Sequence, residues 1–451
     1  DFGGQLVYVK EVALALGRLG IHVDILTRRI RDPEWHGFEK DRDDFGDEVE
    51  TVRIVRLASG GDRFLPKEAL WPHLPEMAAE IAAFYGDQPP EFLTAHYADG
   101  GYLGVLLKHR LGVPFSFTGH SLGAQKLDKL IKASGDDFAA LDARYRFSSR
   151  IEAERLAMAE ASRVITSTTE ERMEQYGHPL YAGAIDPQDD GRFKVIPPGI
   201  NTRIFHNDAS ADDPETLERL GSQVRDSSRP HVVLASRLDP KKNVAGVVEA
   251  FCAHPQLANR ANLALFVRGV DDPWLGIDAL RSDEQAVLAP ILEQIRKAGL
   301  VERVSFVNAR SQRELAVAYR MFAASGSVFA LPSLFEPFGL APIEAAACGL
   351  AVVATRNGGP SEIFAGGAGL LMDPEDPKDM AHAFMEGLAR ADALVQAGIQ
   401  RVLSTYTWDK TAAAYLALIR QHLDGVEPSA ELDPPKLEGG DRIRQYLSAA
   451  I

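Results

Sequence analysis

The chain has 451 residues, 45% hydrophobic and 25% charged, with a formal charge of -15 at pH 7. That length exceeds one hydrophobic core and calls for two domains, and so acidic a balance excludes a nucleic-acid backbone as partner. An anionic small molecule would then need a local basic pocket. Cys252 and Cys348 stand far apart, which gives neither a disulfide framework nor metal-ligand spacing and leads us to expect a reducing, cytoplasmic setting. No secretory leader is recognisable, and no apolar run reaches the ~18 residues of a membrane span.

The chain opens DFGGQLVYVKEVALALGRLG, a glycine pair followed by helical apolar spacing at Leu6, Val9, Val12, Ala13 and Leu16. A glycine-rich turn at a helix start normally follows a strand, so the pattern predicts a first strand upstream of Asp1. Further strands are expected at Ile21–Thr27 and Val52–Leu57. The stretch Phe92–Gly101 carries a strand into a Gly turn and then a helix. VPFSFTGHSLG is the next strand and turn, Arg144–Glu160 a helix, Arg163–Thr168 a strand, and Lys194–Asn201 a strand stopped by two prolines. Strands alternating with helices imply a parallel sheet covered on both faces.

After the polar stretch Asn207–Arg229, expected to be a linker, the alternation restarts with HVVLASRLDPKKN. ANLALFVRG, RVSFVNARSQRELAVAYR, GSVFALPS and LAVVATRNGGPSEIF continue it. The sequence thus predicts two doubly wound, Rossmann-like α/β domains, 1–206 and 230–405. A helix over 406–424 is expected to return to the first domain, and an acidic, Pro-rich tail over 425–451 to be mobile. Open α/β sheets bind ligands beyond the carboxyl ends of their strands, so the loops after strands carry the candidates, in a cleft between facing domains.

Gly3 and Gly4 open a helix, where backbone N–H groups and the dipole favour an oxyanion; an ordinary turn fits them as well. Arg237 and Lys242, in the loop after VVLAS, are spaced to clamp a diphosphate, though a solvated charged loop reads the same way. Asn243 is expected to cap the helix that follows. In FEPFGLAPIE, Glu336 precedes a helix start at Phe338, Gly339 and Leu340 whose N–H groups are free for phosphate, and Glu344 stands within reach of sugar hydroxyls. Apolar neighbours argue against a fully solvated face there. The five Asp-Asp pairs read as turns, and no His/Glu spacing points to a metal.

Gly119–Gly123 reads GHSLG and fits the G-x-S-x-G nucleophile elbow of serine hydrolases, with Ser121 in the nucleophile position. The polar Gln125, Lys126, Asp128 and Lys129 follow at once, where an elbow helix favours small apolar residues. His382 and His422 occur late in the chain, outside recognisable post-strand loops.

Taken together, DFGGQLVYVKEVALAL, FLPKEALWP, HYADGG, TGHSLGAQKL, VIPPGIN, ASRLDPKKN and FEPFGLAPIEAAACGLAVVATRNGGP resemble the retaining glycosyltransferases of two Rossmann domains (the GT-B architecture), and among them the sucrose-phosphate synthase family. The resemblance implies transfer of glucose from UDP-glucose to fructose 6-phosphate without a cofactor or an obligatory metal. The alternatives are a GDP-mannose donor, as in mannosylfructose-phosphate synthase, or free fructose as acceptor, as in sucrose synthase. It implies that His120, not Ser121, serves the site, near the 6-hydroxyl of the donor sugar, and that Glu336 holds ring hydroxyls and Glu344 the ribose. Arg237 and Lys242, with Gly3, Gly4, Phe338, Gly339 and Leu340, would hold the diphosphate. Gln5, Lys67, Tyr97, Lys126 and Arg150 would hold the acceptor. Retention is implied to proceed without a covalent intermediate, the leaving phosphate taking the acceptor's proton on the same face, in a cleft that domain closure assembles. Small molecules are the expected partners, with no nucleic acid and no membrane.

Overall fold

The computed structural model describes residues 4–46, 49–210, 212–425 and 433–449. The chain divides into two compact units, residues 1–197 with 408–451, and residues 198–407.

In the second unit, short apolar runs form β8 (His231–Leu234), β9 (Asn262–Phe266), β10 (Val304–Val307), β11 (Val328–Leu331), β12 (Ala351–Thr355) and β13 (Leu370–Met372). They build one six-stranded sheet in the order β10-β9-β8-β11-β12-β13, every adjacent pair parallel. Numbered from β8, that is the doubly wound order 3-2-1-4-5-6. Both faces are buried: Val232 and Leu234 of β8 pack with Val328 and Ala330 of β11 in one core, while Val233, Phe329 and Leu331 enter the other. Period-2 side chains facing two apolar layers explain why these strands read as continuous apolar runs.

The first unit contains β1 (Val23–Arg28), β2 (Arg42–Asp44), β3 (Val52–Leu57), β4 (Leu93–His96), β5 (Phe115–Thr118), β6 (Arg163–Thr166) and β7 (Phe193–Val195). Instead of the single parallel sheet expected, these fall into a three-stranded sheet, β1-β3-β2, with β2 antiparallel, and a four-stranded parallel sheet, β4-β5-β6-β7. The helix Trp408–Arg420 does return to this unit, where Trp408, Ala412 and Tyr415 bury against Tyr8, Val12 and Leu16 of the helix Gly4–Arg18.

Three boundaries differ from the expectation. Residues 198–206 belong with the second unit, where Ile200 N–H donates to Tyr406 O and Phe205 is buried in its core. The stretch read as a linker contains the helix Pro214–Ser222, with Asp213 capping Thr216 N–H, Pro214 at its first turn and Leu220 buried. The tail carries the helix Gly440–Ala449, whose Ile443 is fully buried in the first unit's core and whose Tyr446 hydroxyl donates to Asp128 at 3.0 Å. Further, Arg144–Glu160 is two helices, Phe138–Tyr145 and Phe147–Glu160, broken at Arg146 by a left-handed φ of 54°.

Ile443→Ala should therefore destabilise the first unit by about 2 kcal/mol or more, the usual cost of emptying a buried aliphatic site. Urea denaturation followed by near-UV dichroism checks this; a shift below about 0.5 kcal/mol would mean the terminal helix adds nothing to the core.

Candidate active site

In the second unit the strand order reverses between β8 and β11, so the loops after these strands splay apart at their carboxyl ends. The residues read from sequence fall on those loops. Lys242 follows β8 and Glu336 follows β11, and the Lys242 ammonium donates to Glu336 Oε2 at 2.6 Å. Ser333 Oγ donates to the same oxygen at 3.0 Å. The backbone knits the loops as well, with Leu334 N–H donating to Lys241 O and Glu336 N–H to Asn357 O in the loop after β12. That last contact requires glycine at 358: its φ is +96°, and a Cβ there would lie 2.2 Å from Glu336 O. Arg237 is exposed, and its guanidinium meets no partner among the described residues. Asn243 does not cap the next helix; it takes a left-handed φ of 52° and its amide donates to Pro374 O.

Gly339, at φ 102°, leads into the helix Leu340–Ala347, so the amides around Phe338, Gly339 and Leu340 start a helix without a side-chain cap. Phe338 is buried. Glu344 lies on this helix, half-buried, and loss of solvent around its carboxyl pushes its pKa up to about 7.

The first unit holds the remaining candidates at the ends of β4 and β5. These strands pair in parallel with His96 beside Thr118. Just beyond them, Tyr97 (φ 66°) and His120 (φ 57°) both take the left-handed conformation that ordinary side chains resist. His120 lies with its Nε2 3.0 Å from Nδ1 of His96, the two rings stacked. Burial pushes the His120 imidazole down to about 4 and holds the His96 imidazole well below its ordinary value, so both are neutral near pH 7.

Around Tyr97 and Tyr145 four cations gather. The Arg150 guanidinium lies 4.7 Å and the Lys67 ammonium 5.4 Å from the centroid of the Tyr97 ring, and Lys67 also donates to the Tyr97 hydroxyl at 3.3 Å. Lys126 and Arg144 lie 4.4 and 5.0 Å from the Tyr145 ring. The clusters sense each other: desolvation lowers the Lys126 pKa, and Lys67 and Arg150 lower it further. Arg150 is no surface charge. Its Nε donates to the buried Glu154 at 3.0 Å and its Nη2 to Ser121 O, while Glu154 accepts from Gly123 N–H and the Tyr181 hydroxyl. Burial pushes the Asp99 carboxyl up, with Arg150 and Lys67 opposing the shift.

The structure thus brings Lys67, Tyr97, Lys126 and Arg150 together, and separately Lys242, Glu336 and the helix start at Gly339. Gln5 and Gly4 stand on the first turn of the helix Gly4–Arg18, and Gly3 lies outside the described residues. The hydrolase reading fails on geometry: Ser121 is exposed and its hydroxyl meets no histidine. Sequence reasoning missed Arg144, Glu154 and His96; only His96 carried a signal, as the last residue of a strand feeding a Gly-rich turn. Among the described residues no cluster of three or more His, Cys, Asp or Glu could hold a metal ion, and no helix is long and apolar enough to cross a membrane.

Family matches follow the same division. The Glycosyl transferase 4-like domain matches residues 3–179, and Glycosyl transferases group 1 matches residues 218–398. The protein is a glycosyltransferase enzyme of the GT-B fold. It is 41% identical over 424 residues to a probable sucrose-phosphate synthase of Thermosipho melanesiensis, covering 93% of this chain and 91% of the relative. The solved structure of sucrose-phosphate synthase from Thermosynechococcus elongatus is similar over 93% of both chains, with a TM-score of 0.69 and 27% identity. The chain belongs to the sucrose-phosphate synthase family. A probable sucrose-phosphate synthase of Vicia faba is 33% identical over the whole of this chain, which spans about half of that relative's length (48%).

Glu344 predicts a pH signature. Its folded pKa of about 7 stands above the ordinary 4.5, so below pH 4.5 the carboxyl is neutral in both folded and unfolded states and costs nothing. As pH rises from 4.5 to about 7 the unfolded state ionises while the fold resists ionisation, so stability falls, and it levels off above 7. Glu344→Gln should therefore gain stability relative to the parent between pH 5 and pH 8, as read by thermal melts. An advantage that does not change with pH would contradict a solvent-poor setting for this carboxyl.

Proposed function

We propose that this enzyme moves glucose from UDP-glucose to fructose 6-phosphate, releasing UDP and sucrose 6-phosphate. The observation that carries the reading is the set of cations around Tyr97 and Tyr145 in the first unit. Glu154, Glu68 and Asp99 oppose part of that charge, and an acceptor with a phosphate adds further negative charge where a neutral sugar such as free fructose adds none. The names carried by the relatives agree with that choice.

The chemistry sets separate tasks. The departing diphosphate gains charge as the glycosidic bond breaks. Arg237, Lys242 and the helix-start amides at Phe338, Gly339 and Leu340, together with the amides of Gly3 and Gly4, are assigned to it; losing one such preorganised donor costs on the order of 10²-fold in rate. Because Lys242 donates to Glu336, its position is fixed before substrate arrives. The remaining lone pairs of Glu336 accept ring hydroxyls, His120 contacts the 6-hydroxyl, and Glu344 contacts the ribose. Lys67 and Lys126 bind the acceptor phosphate. Arg150, anchored by Glu154, points the same charge at it, and Gln5 and Tyr97 contact the fructose. Protein cations alone neutralise the leaving group in this reading, so no metal or cofactor takes part. The substrates are small molecules of the cytoplasm.

A matrix assay tests the proposal: UDP-glucose, ADP-glucose and GDP-mannose, each against fructose and fructose 6-phosphate. UDP-glucose with fructose 6-phosphate should turn over fastest. Turnover with GDP-mannose alone would instead mean a mannosyltransferase, and preference for free fructose a sucrose synthase. In the same assay Lys126→Ala should raise the KM for fructose 6-phosphate at least about tenfold more than that for the nucleotide sugar, a difference of about 1.4 kcal/mol. Equal effects on both would remove Lys126 from the acceptor site.

A further inference from the structure

The parallel pairing of β4 and β5 sets His96 beside Thr118, and the left-handed turn at His120 swings its ring back over the end of β4. The two imidazoles then meet with His96 Nδ1 3.0 Å from His120 Nε2, ring centroids 5.2 Å apart and planes 25° from parallel. Tyr8 closes the pair in. Its ring contacts His120 edge-on at 4.9 Å and His96 at 5.7 Å, and is itself packed by Trp408 at 5.4 Å. The Tyr8 hydroxyl is tied to Tyr415, whose hydroxyl also meets Thr118 Oγ1. Neither histidine can turn away without breaking this packing.

A hydrogen bond between two neutral imidazoles needs one N–H and one lone pair at the contact. Where His96 Nδ1 accepts, His120 Nε2 carries the proton and its Nδ1 offers a lone pair. Where His96 Nδ1 donates, His120 Nδ1 carries the proton and becomes a donor. The proton of His96 therefore dictates what the free edge of His120 offers. Among the described residues that free Nδ1 has no protein partner.

We infer that His96 is a positioning residue: it fixes the ring orientation and the tautomer of His120, and so sets whether His120 donates to or accepts from the sugar hydroxyl it contacts. The inference rests on the role proposed for His120 above. His96 need not touch substrate; it acts through its neighbour.

Replacement of the ring and replacement of the hydrogen bond separate this role from packing. His96→Phe keeps an aromatic ring and removes the bond, whereas His96→Asn gives up the ring but keeps a polar atom near the Nδ1 position. With UDP-glucose and fructose 6-phosphate, His96→Phe should lower kcat about 10- to 100-fold, the range carried by partners that orient a functional imidazole, with little change in the KM for fructose 6-phosphate. His96→Asn should recover most of that loss. Long-range proton–nitrogen NMR of protein labelled with ¹⁵N-histidine reads the His120 tautomer without substrate, assigned through His120→Gln. It should show a single tautomer in the parent and in His96→Asn, and a mixed or switched one in His96→Phe. An unchanged tautomer in His96→Phe, or equal kcat losses in both variants, would overturn the inference. Absence of turnover by the parent, with the tautomer responding as expected, would overturn the proposed reaction and leave the His96 inference standing.

Discussion

Cations held over aromatic rings are the constraint on which the first unit's site depends. Like charges brought this close repel, and partial burial removes the water that would screen them. The fold offsets the repulsion locally. The Tyr97 ring carries Lys67 and Arg150, the Tyr145 ring carries Lys126 and Arg144, and Glu154 neutralises Arg150 from beneath. Glu154 is in turn satisfied by Gly123 N–H and Tyr181, so no charge is stranded. Tyr97 presents its ring to both cations from a left-handed backbone, a conformation that side chains resist. Glu68 faces Lys126, and Asp99 faces Arg150 and Lys67, in this locally basic region of a chain whose overall charge is -15.

The second unit solves a different problem by topology. Reversal of strand order between β8 and β11 opens a gap at the carboxyl ends of the sheet, and the loops that meet there are tied by Lys242–Glu336 and by the backbone pairing at Gly358. In the proposed reaction, loops tied in this way and an uncapped helix start would hold the diphosphate with donors in place before charge develops. Glu344 sits deeper on the same helix, where the low-dielectric surroundings that raise its pKa also strengthen any hydrogen bond it makes.

Much of this was legible in the sequence, for physical reasons. Strands β8 to β12 are buried on both faces and announce themselves as apolar runs; Glu336, Gly339 and Glu344 follow from a strand, a turn and a helix start in succession. The helix Pro214–Ser222 reads as linker although Asp213-Pro214 is a helix-start signal, because only Leu217 and Leu220 supply an apolar face. The three-residue β2, paired antiparallel at an edge, has no pattern long enough to read. Contacts between distant residues left no trace at all. Nothing in the spacing of Glu154 and Tyr181, or of His96 and His120, says that they touch, since each contact depends on how β4, β5 and the helix Phe147–Glu160 pack.

The central claim is that the first unit binds a sugar through its phosphate. Calorimetric titration of the enzyme without nucleotide, with fructose 6-phosphate and with fructose, at low and at high salt, tests it most directly. The account predicts that fructose 6-phosphate binds at least about 100-fold more tightly than fructose, equivalent to about 2.7 kcal/mol, and that its affinity falls as salt rises. Equal affinities for the two sugars, or binding indifferent to salt, would contradict it.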